Sequence, residues 1–469
     1  MNEKTARFSL RGLFQPRDLT EGTPWKTILA FALPIIISYL LQQVYTISDA
    51  AIVGQTLTAG EVAGVNDTTS IIFIFLQFAF GVSAGFCVVT AAEVGAHHEA
   101  GVRRSLAAQI LLSAALTVLL TGLALLLLKP MLAWINVTPE SPEVYRAAHT
   151  YCAIIFAGIG AQLFYNFICS FLRSMGDSVT PLLFLLFSTI LNIGLDLLFI
   201  VSFHWGVAGA AIATVAAQLI STVGCFLYAF VKYPKLRLHR EDWQVTLGDM
   251  RRHLGQGIPL GLQFSVLAIG IIVMQSVVVK FDILEGEMIS NAAQNGFGAA
   301  NKLNNLLMTP MNGLGAAMTS YTAQNMGAGQ VDRAKRGTLI SVGLAIGWTV
   351  FSSVLVVLFC DPLSRIFSPN STVIAVSAVY LKTVMPPYFL FSTLFVLNSA
   401  MRGAGDSVYP MVNVVASVIL IRVPALYLLA DHLGPEYMFW SYGIGWVITC
   451  ALSVYHYAAG KWLGKYRAD

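Results

Sequence analysis

Apolar runs of about twenty residues recur from one end of this 469-residue chain to the other, separated by short polar connections. That length spans a hydrocarbon core about 30 Å thick. Only 11% of the residues are charged and 56% are hydrophobic, with a mean hydropathy of +0.70; a soluble domain carries about 25% charged residues. The chain therefore reads as an all-α polytopic membrane protein with no sizeable soluble domain. A net charge of +4, with basic residues scattered through short loops, gives no nucleic-acid surface.

Twelve candidate spans fall at 26–50, 62–90, 104–128, 143–171, 180–201, 207–231, 256–280, 288–323, 336–359, 372–400, 409–430 and 436–460. One long polar connection, 232–255, divides them six and six. The expected organisation is a tail (1–25), an N-lobe (26–231), a linker (232–255), a C-lobe (256–460) and a second tail (461–469). The first tail has no apolar core or cleavage site of a signal peptide and reads as cytoplasmic, with room for a short interfacial helix. With the N-terminus inside, 21 of the 28 Lys and Arg lie on the cytoplasmic side and four, Lys129, Arg146, Lys280 and Arg365, on the other. This positive-inside bias places both termini in the cytoplasm and suits a multi-pass protein of a bacterial plasma membrane.

The halves repeat in the same orientation. Arg173-Ser-Met-Gly176-Asp177-Ser178 and Arg402-Gly-Ala-Gly405-Asp406-Ser407 lie 229 residues apart, as do Tyr151 and Tyr380; Gly95 and Gly327 lie 232 apart, and Pro34 and Pro259 mark spans one and seven. A parallel repeat about an axis along the membrane normal is a transporter architecture with its site between repeats. The motif itself reads as a turn in which Gly ends one helix and Asp or Ser caps the next, with Arg173 and Arg402 as structural anchors. The GxxxG pairs Gly81/Gly85, Gly257/Gly261 and Gly343/Gly347 read as close helix packing.

The halves differ in chemistry. Asp49 and Asp196 lie inside apolar runs, where an ionisable residue costs roughly 2.5–3.5 kcal/mol and marks function by default. Ser38, Gln42, Tyr45 and Asp49 share a stripe about 60° wide on span one. Asn192 and Asp196 lie one turn apart on span five beside Thr189, and Thr214, Gln218 and Ser221 line one face of span six. Span eleven has Ile421 and Ala425 where span five has Asn192 and Asp196. Two carboxylates in one low-dielectric cavity are penalised by desolvation and by each other, and a proton or Na⁺ relieves both penalties. Asn192 and Thr214 add neutral oxygens suited to a hard cation. The coupling-ion candidates are thus Asp49, Asn192, Asp196 and Thr214. Substrate-cavity candidates are Gln42, Tyr45, Gln162, Asn166, Gln218 and Lys302. Pro34 is a candidate hinge because it removes a helix hydrogen bond. There is no nucleotide-binding loop, zincin motif or nucleophile elbow. The six cysteines read as buried small hydrophobes, so neither disulfides nor zinc, nor any cofactor beyond the coupling ion, is expected.

Taken together, LPIIISYLLQQVYTISDAAIVGQ, the RSMGDSVTP/RGAGDSVYP pair and AQNMGAGQVDRAKRG resemble the multidrug and toxic compound extrusion (MATE) family over about residues 26–460. The resemblance implies a V-shaped, two-lobed fold, alternating access, and export of amphipathic, cationic organic compounds in exchange for H⁺ or Na⁺ by a monomer. The acids are similar to those of the branch named for a DNA-damage-inducible member, whose N-lobe site carries over as Asp49, Asn192, Asp196 and Thr214, with Pro34 matched. The sister branch has acids on spans seven and ten that this chain lacks. The alternative is a flippase for lipid-linked saccharides, a related architecture expected to carry several cavity cations; Lys302 is the main candidate here.

Overall fold

The computed structural model describes residues 16–284, 287–288, 291–434 and 436–466. Among the described residues, eight helices are long and apolar enough to cross a bilayer unbroken, and two more spans are helix pairs bent by 45° and 57°. The other two, Ala292–Gly327 and Trp440–Ala458, are long enough at 36 and 19 residues but are rich in amide or in aromatic side chains. In chain order the N-half runs as span one (Pro24–Thr56), two (Ala59–Gly95), three (Glu99–Leu126), four (Pro142–Ala157 with Ile159–Ser174), five (Val179–Asp196) and six (Gly206–Lys232). The C-half runs as span seven (Leu247–Val279), eight (Ala292–Gly327), nine (Val331–Leu358), ten (Ser371–Val384 with Tyr388–Gly403), eleven (Val408–Ala416, continuing to His432) and twelve (Trp440–Ala458).

The repeat is visible in the breaks. Span four bends at Gly158 and span ten at Pro387, 229 residues later. Gly176 and Gly405 end their helices at φ +86° and +96°, a conformation that favours glycine. Asp177 then accepts from the Thr180 amide at 3.0 Å and Asp406 from the Tyr409 amide at 3.3 Å, capping spans five and eleven. Asp177 is clasped further by Lys232 at 2.8 Å and Tyr233 at 2.6 Å, whereas Asp406 faces His456 at 2.8 Å. Burial works against the Asp177 charge, but the bonds from Lys232, Thr180 and Tyr233 outweigh it and hold the carboxyl below its ordinary value.

Each half has its own apolar core, around Phe86, Leu116 and Phe156 in the first and Phe297, Tyr380 and Phe439 in the second. The seam between them is crossed. Ile28, Phe31 and Ile35 of span one pack on Met311, Leu314 and Met318 of span eight. Span seven lies on span two glycine to glycine: a Cβ on Gly81 would come within 2.8 Å of the Gly261 Cα, and one on Gly85 within 2.6 Å of the Gly257 Cα. Two of the three GxxxG pairs thus meet each other, while Gly343 and Gly347 have open space. A buried polar chain reinforces this seam. His253 on span seven meets the Ser105 hydroxyl at 2.8 Å, Ser105 meets Thr90 at 2.7 Å, and Gln109 donates to Thr90 at 2.6 Å.

Several boundaries differ from the sequence reading. Span one continues to Thr56, so Asp49 lies well inside its helix. Span seven begins at Leu247 rather than 256, because Thr246 and Asp249 form a reciprocal capping box; only the residues between Lys232 and Leu247 connect the halves. Span eight begins at Ala292, since Glu287–Met288 pairs with Ile283–Leu284 as a two-residue antiparallel hairpin. Of the first tail, residues 1–15 lie outside the described residues. Residues 17–22 are wedged between the halves: Arg17 donates its amide to the Gly176 carbonyl at 3.0 Å, buried Leu19 donates its amide to Gln324 at 3.2 Å, and Arg333 donates to the carbonyls of Glu21 and Gly22. In the second tail Trp462 stacks on Tyr457 at 4.8 Å; residues 467–469 lie outside the described residues.

Candidate functional site

Span five supplies two fully buried polar side chains of the N-half. Asn192 and Asp196 are both 0% exposed, and a π turn, Leu197–Ser202, begins directly after Asp196. Such turns break the regular hydrogen-bond ladder and gather at functional positions. Across from it, span one brings Asp49 close enough to Asp196 for the two carboxylates to act on each other. Span six brings Thr214 beside the Tyr45 hydroxyl. Tyr151 of span four is near enough to feel Asp49, Asp196 and Tyr45 electrostatically. Four spans therefore converge on one pair of acids.

The pair has no cationic partner among the described residues. Both Asp196 oxygens, one Asp49 oxygen, both Asn192 amide atoms, the Thr214 hydroxyl and the Tyr45 hydroxyl are buried without a hydrogen-bond partner. Buried polar groups are normally paired, so this concentration of unpaired acceptors on two adjacent carboxylates marks a place for a proton or a cation. The counterpart of Asp196 in the C-half is Ala425.

The sequence candidates separate into groups. Asp49, Asn192, Asp196, Thr214 and Tyr45 come together as described. Gln42 and Asn166 line a different cavity nearer the Gly-Asp-Ser turns, with Ser38, Tyr39, Tyr165 and Arg173. Arg173 lies over the Tyr39 ring at 5.7 Å and lines that cavity in addition to standing at the end of its helix. Gln162 and Gln218 are half-buried in spans four and six. Lys302 is exposed on span eight and lies over the Phe367 ring at 6.0 Å. Pro34 sits inside an unbroken helix, fifteen residues before Asp49. Tyr151 was missed as a site residue; its constant spacing from Tyr380 was the signal that carried it.

A helical bundle of two repeated six-span halves, with unpaired acids buried at mid-span, defines a membrane transporter. The sequence profile of the MatE family matches residues 34–198 and 259–428, and the chain belongs to that family. It is similar to the "Probable multidrug resistance protein YpnP" of Bacillus subtilis (strain 168), 29% identical over 95% of this chain and 97% of the relative. It is also similar to the "Probable multidrug resistance protein NorM" of Thermotoga maritima, 23% identical over 91% and 90%. Among solved structures, the outward-facing conformation of a multidrug resistance MATE family transporter superposes with a TM-score of 0.85 at 21% identity, over 95% of this chain and 98% of that one.

Proposed function

We propose that this chain is a secondary multidrug antiporter that exports amphipathic, cationic organic compounds in exchange for H⁺ or Na⁺. Asp49, Asn192, Asp196 and Thr214 form its coupling site. The observation that carries the reading is the pair of neighbouring carboxylates, Asp196 fully buried and Asp49 half-buried, with unpaired oxygens and no cationic partner among the described residues. Leaving such acids charged and empty is costly, so their occupancy can bias which way the lobes open. Its similarity to probable multidrug resistance proteins supports multidrug export. The basic bias of the loops supports a plasma-membrane location with both termini in the cytoplasm. The transporter acts as a monomer.

Efflux from proteoliposomes tests this. A pH gradient and a Na⁺ gradient are imposed separately. Export of an organic cation driven by either, and lost in Asp196→Asn, supports the reading. Export indifferent to both gradients overturns it.

A further inference from the structure

The C-half holds a buried cation where the N-half holds its acids. Arg422 lies fourteen residues into span eleven, at the last position of a second π turn, Ser417–Arg422, and is 8% exposed. It corresponds to Ile193, between Asn192 and Asp196, at the repeat spacing of 229. Its guanidinium stacks on the Tyr442 ring at 3.5 Å. Its Nη2 is buried with no hydrogen-bond partner, and no carboxylate pairs with it among the described residues. An aromatic face attracts the cation but takes none of its in-plane N–H donors.

The neighbours are donors too. Tyr380, the repeat counterpart of Tyr151, is fully buried with an unpartnered hydroxyl within electrostatic reach of Arg422. Tyr388 is 2% exposed and its hydroxyl is likewise unpartnered. Ring contacts tie the group together: Tyr380 to Tyr442 at 6.0 Å, Tyr442 to Trp446 at 5.6 Å and Trp446 to Tyr388 at 5.4 Å. Arg422 thus brings a positive charge to a place where no carboxylate pairs with it among the described residues, while the groups around Tyr151 include two carboxylates.

We propose that this C-lobe cluster binds a small monovalent anion, of chloride or carboxylate type, held by Arg422 and the hydroxyl of Tyr380. The anion supplies the negative charge that the surrounding described side chains lack, through charge-assisted hydrogen bonds. The inference does not depend on the coupling role of Asp49 and Asp196.

The test uses the purified full-length protein in detergent, at constant ionic strength and pH. Chloride, or acetate in a second arm, replaces a large impermeant anion, and thermal unfolding and Trp fluorescence are followed. A saturable rise in unfolding temperature is expected in the wild type and should disappear in Arg422→Met. Tyr380→Phe, which removes one donor and no charge, should weaken the apparent affinity about tenfold and serves if Arg422→Met does not fold. Saturation by chloride alone identifies a halide site; saturation by acetate as well identifies a site for carboxylates. No saturable dependence in the wild type, or unchanged dependence in both variants, overturns the proposal.

Discussion

Gly95 and Gly327 make the same contact in opposite senses across the two halves. A Cβ on Gly95 would lie 1.9 Å from the Gln324 carbonyl oxygen, and one on Gly327 2.0 Å from the Ala92 carbonyl oxygen. Ala92 and Gln324 are themselves 232 residues apart, so spans two and eight touch through one self-complementary patch at the closed end of the seam. Gly313 against Ile36 and Gly81 against Gly261 repeat the relation higher in the bundle.

Gly95→Ala and Gly327→Ala are therefore expected to disturb closure alike. The obstructing atoms are backbone and cannot swing aside, and overpacking of this kind costs about 1–3 kcal/mol. Spin labels placed on either side of the seam should show a longer mean distance in both variants. Gly343→Ala, which meets open space, is the control and should leave the distance unchanged.

At the acids, Asp49→Asn and Asp196→Asn should each abolish coupled export while the protein still reaches the membrane at normal abundance. Each change is nearly isosteric and removes a buried charge. Asn192→Ala and Thr214→Ala remove a neutral ligand and should weaken coupling less. Resistance to a toxic organic cation, read beside membrane abundance, separates transport loss from misfolding; normal export by either Asp variant at normal abundance contradicts the assignment.

Much of this was legible in the sequence because helical periodicity sets it. Asp49 with Tyr45, and Asp196 with Asn192, are neighbours by spacing alone. The seam was not legible: Gly81 and Gly261 each read only as a packing signal, and nothing local pairs span two with span seven. Nor does spacing reveal the wedging of Leu19 against Gln324, since residues 17–22 carry no periodic pattern and owe their burial to two surfaces distant in sequence. Lys302 reads as a cavity candidate from its place in a polar span; the fold adds that it is exposed and lies over the Phe367 ring.

The turn at Asp177 predicts a pH dependence. Its folded carboxyl is held below the ordinary value by Lys232, Thr180 and Tyr233 against the effect of burial. A depressed acid stabilises the fold above its unfolded pKa of about 3.9. That contribution is lost as pH falls from there through the folded value. Thermal stability in detergent should drop on acidification below about pH 4, and Asp177→Asn should flatten that drop. The variant should also be less stable at neutral pH by about 1–3 kcal/mol, because the partly exposed Lys232 loses its charged partner and keeps only Thr180 and its ring contacts.

Span one should bend at Pro34 in response to site occupancy. Here the helix is unbroken from Pro24 to Thr56, its first part seated on span eight and Asp49 facing span five. Proline leaves a weak point between these attachments, and occupancy of the acids changes the hydrogen bonds open to Tyr45 and Asp49. Spin labels on either side of Pro34 should report a distance that changes with pH or Na⁺. A distance that stays constant in the wild type removes the hinge.

The adjacency of Asp49 and Asp196 also bears on stoichiometry. One proton exchanged for one monovalent organic cation moves no net charge, so a pH difference of one unit supplies about 1.4 kcal/mol, or roughly tenfold accumulation. If each acid takes up its own proton, two enter per cation. The second adds an equal amount, and the net charge adds about 2.3 kcal/mol per 100 mV. The sum, about 5 kcal/mol, sustains a gradient of several thousandfold. Two neighbouring carboxylates can instead share one proton and titrate as a pair, which would return the cycle to electroneutral exchange. Membrane potential decides between them. Collapsing it with valinomycin and K⁺ at a fixed pH gradient should slow export of a monovalent cation if both acids load. Export that ignores the potential means that the pair carries a single charge per cycle.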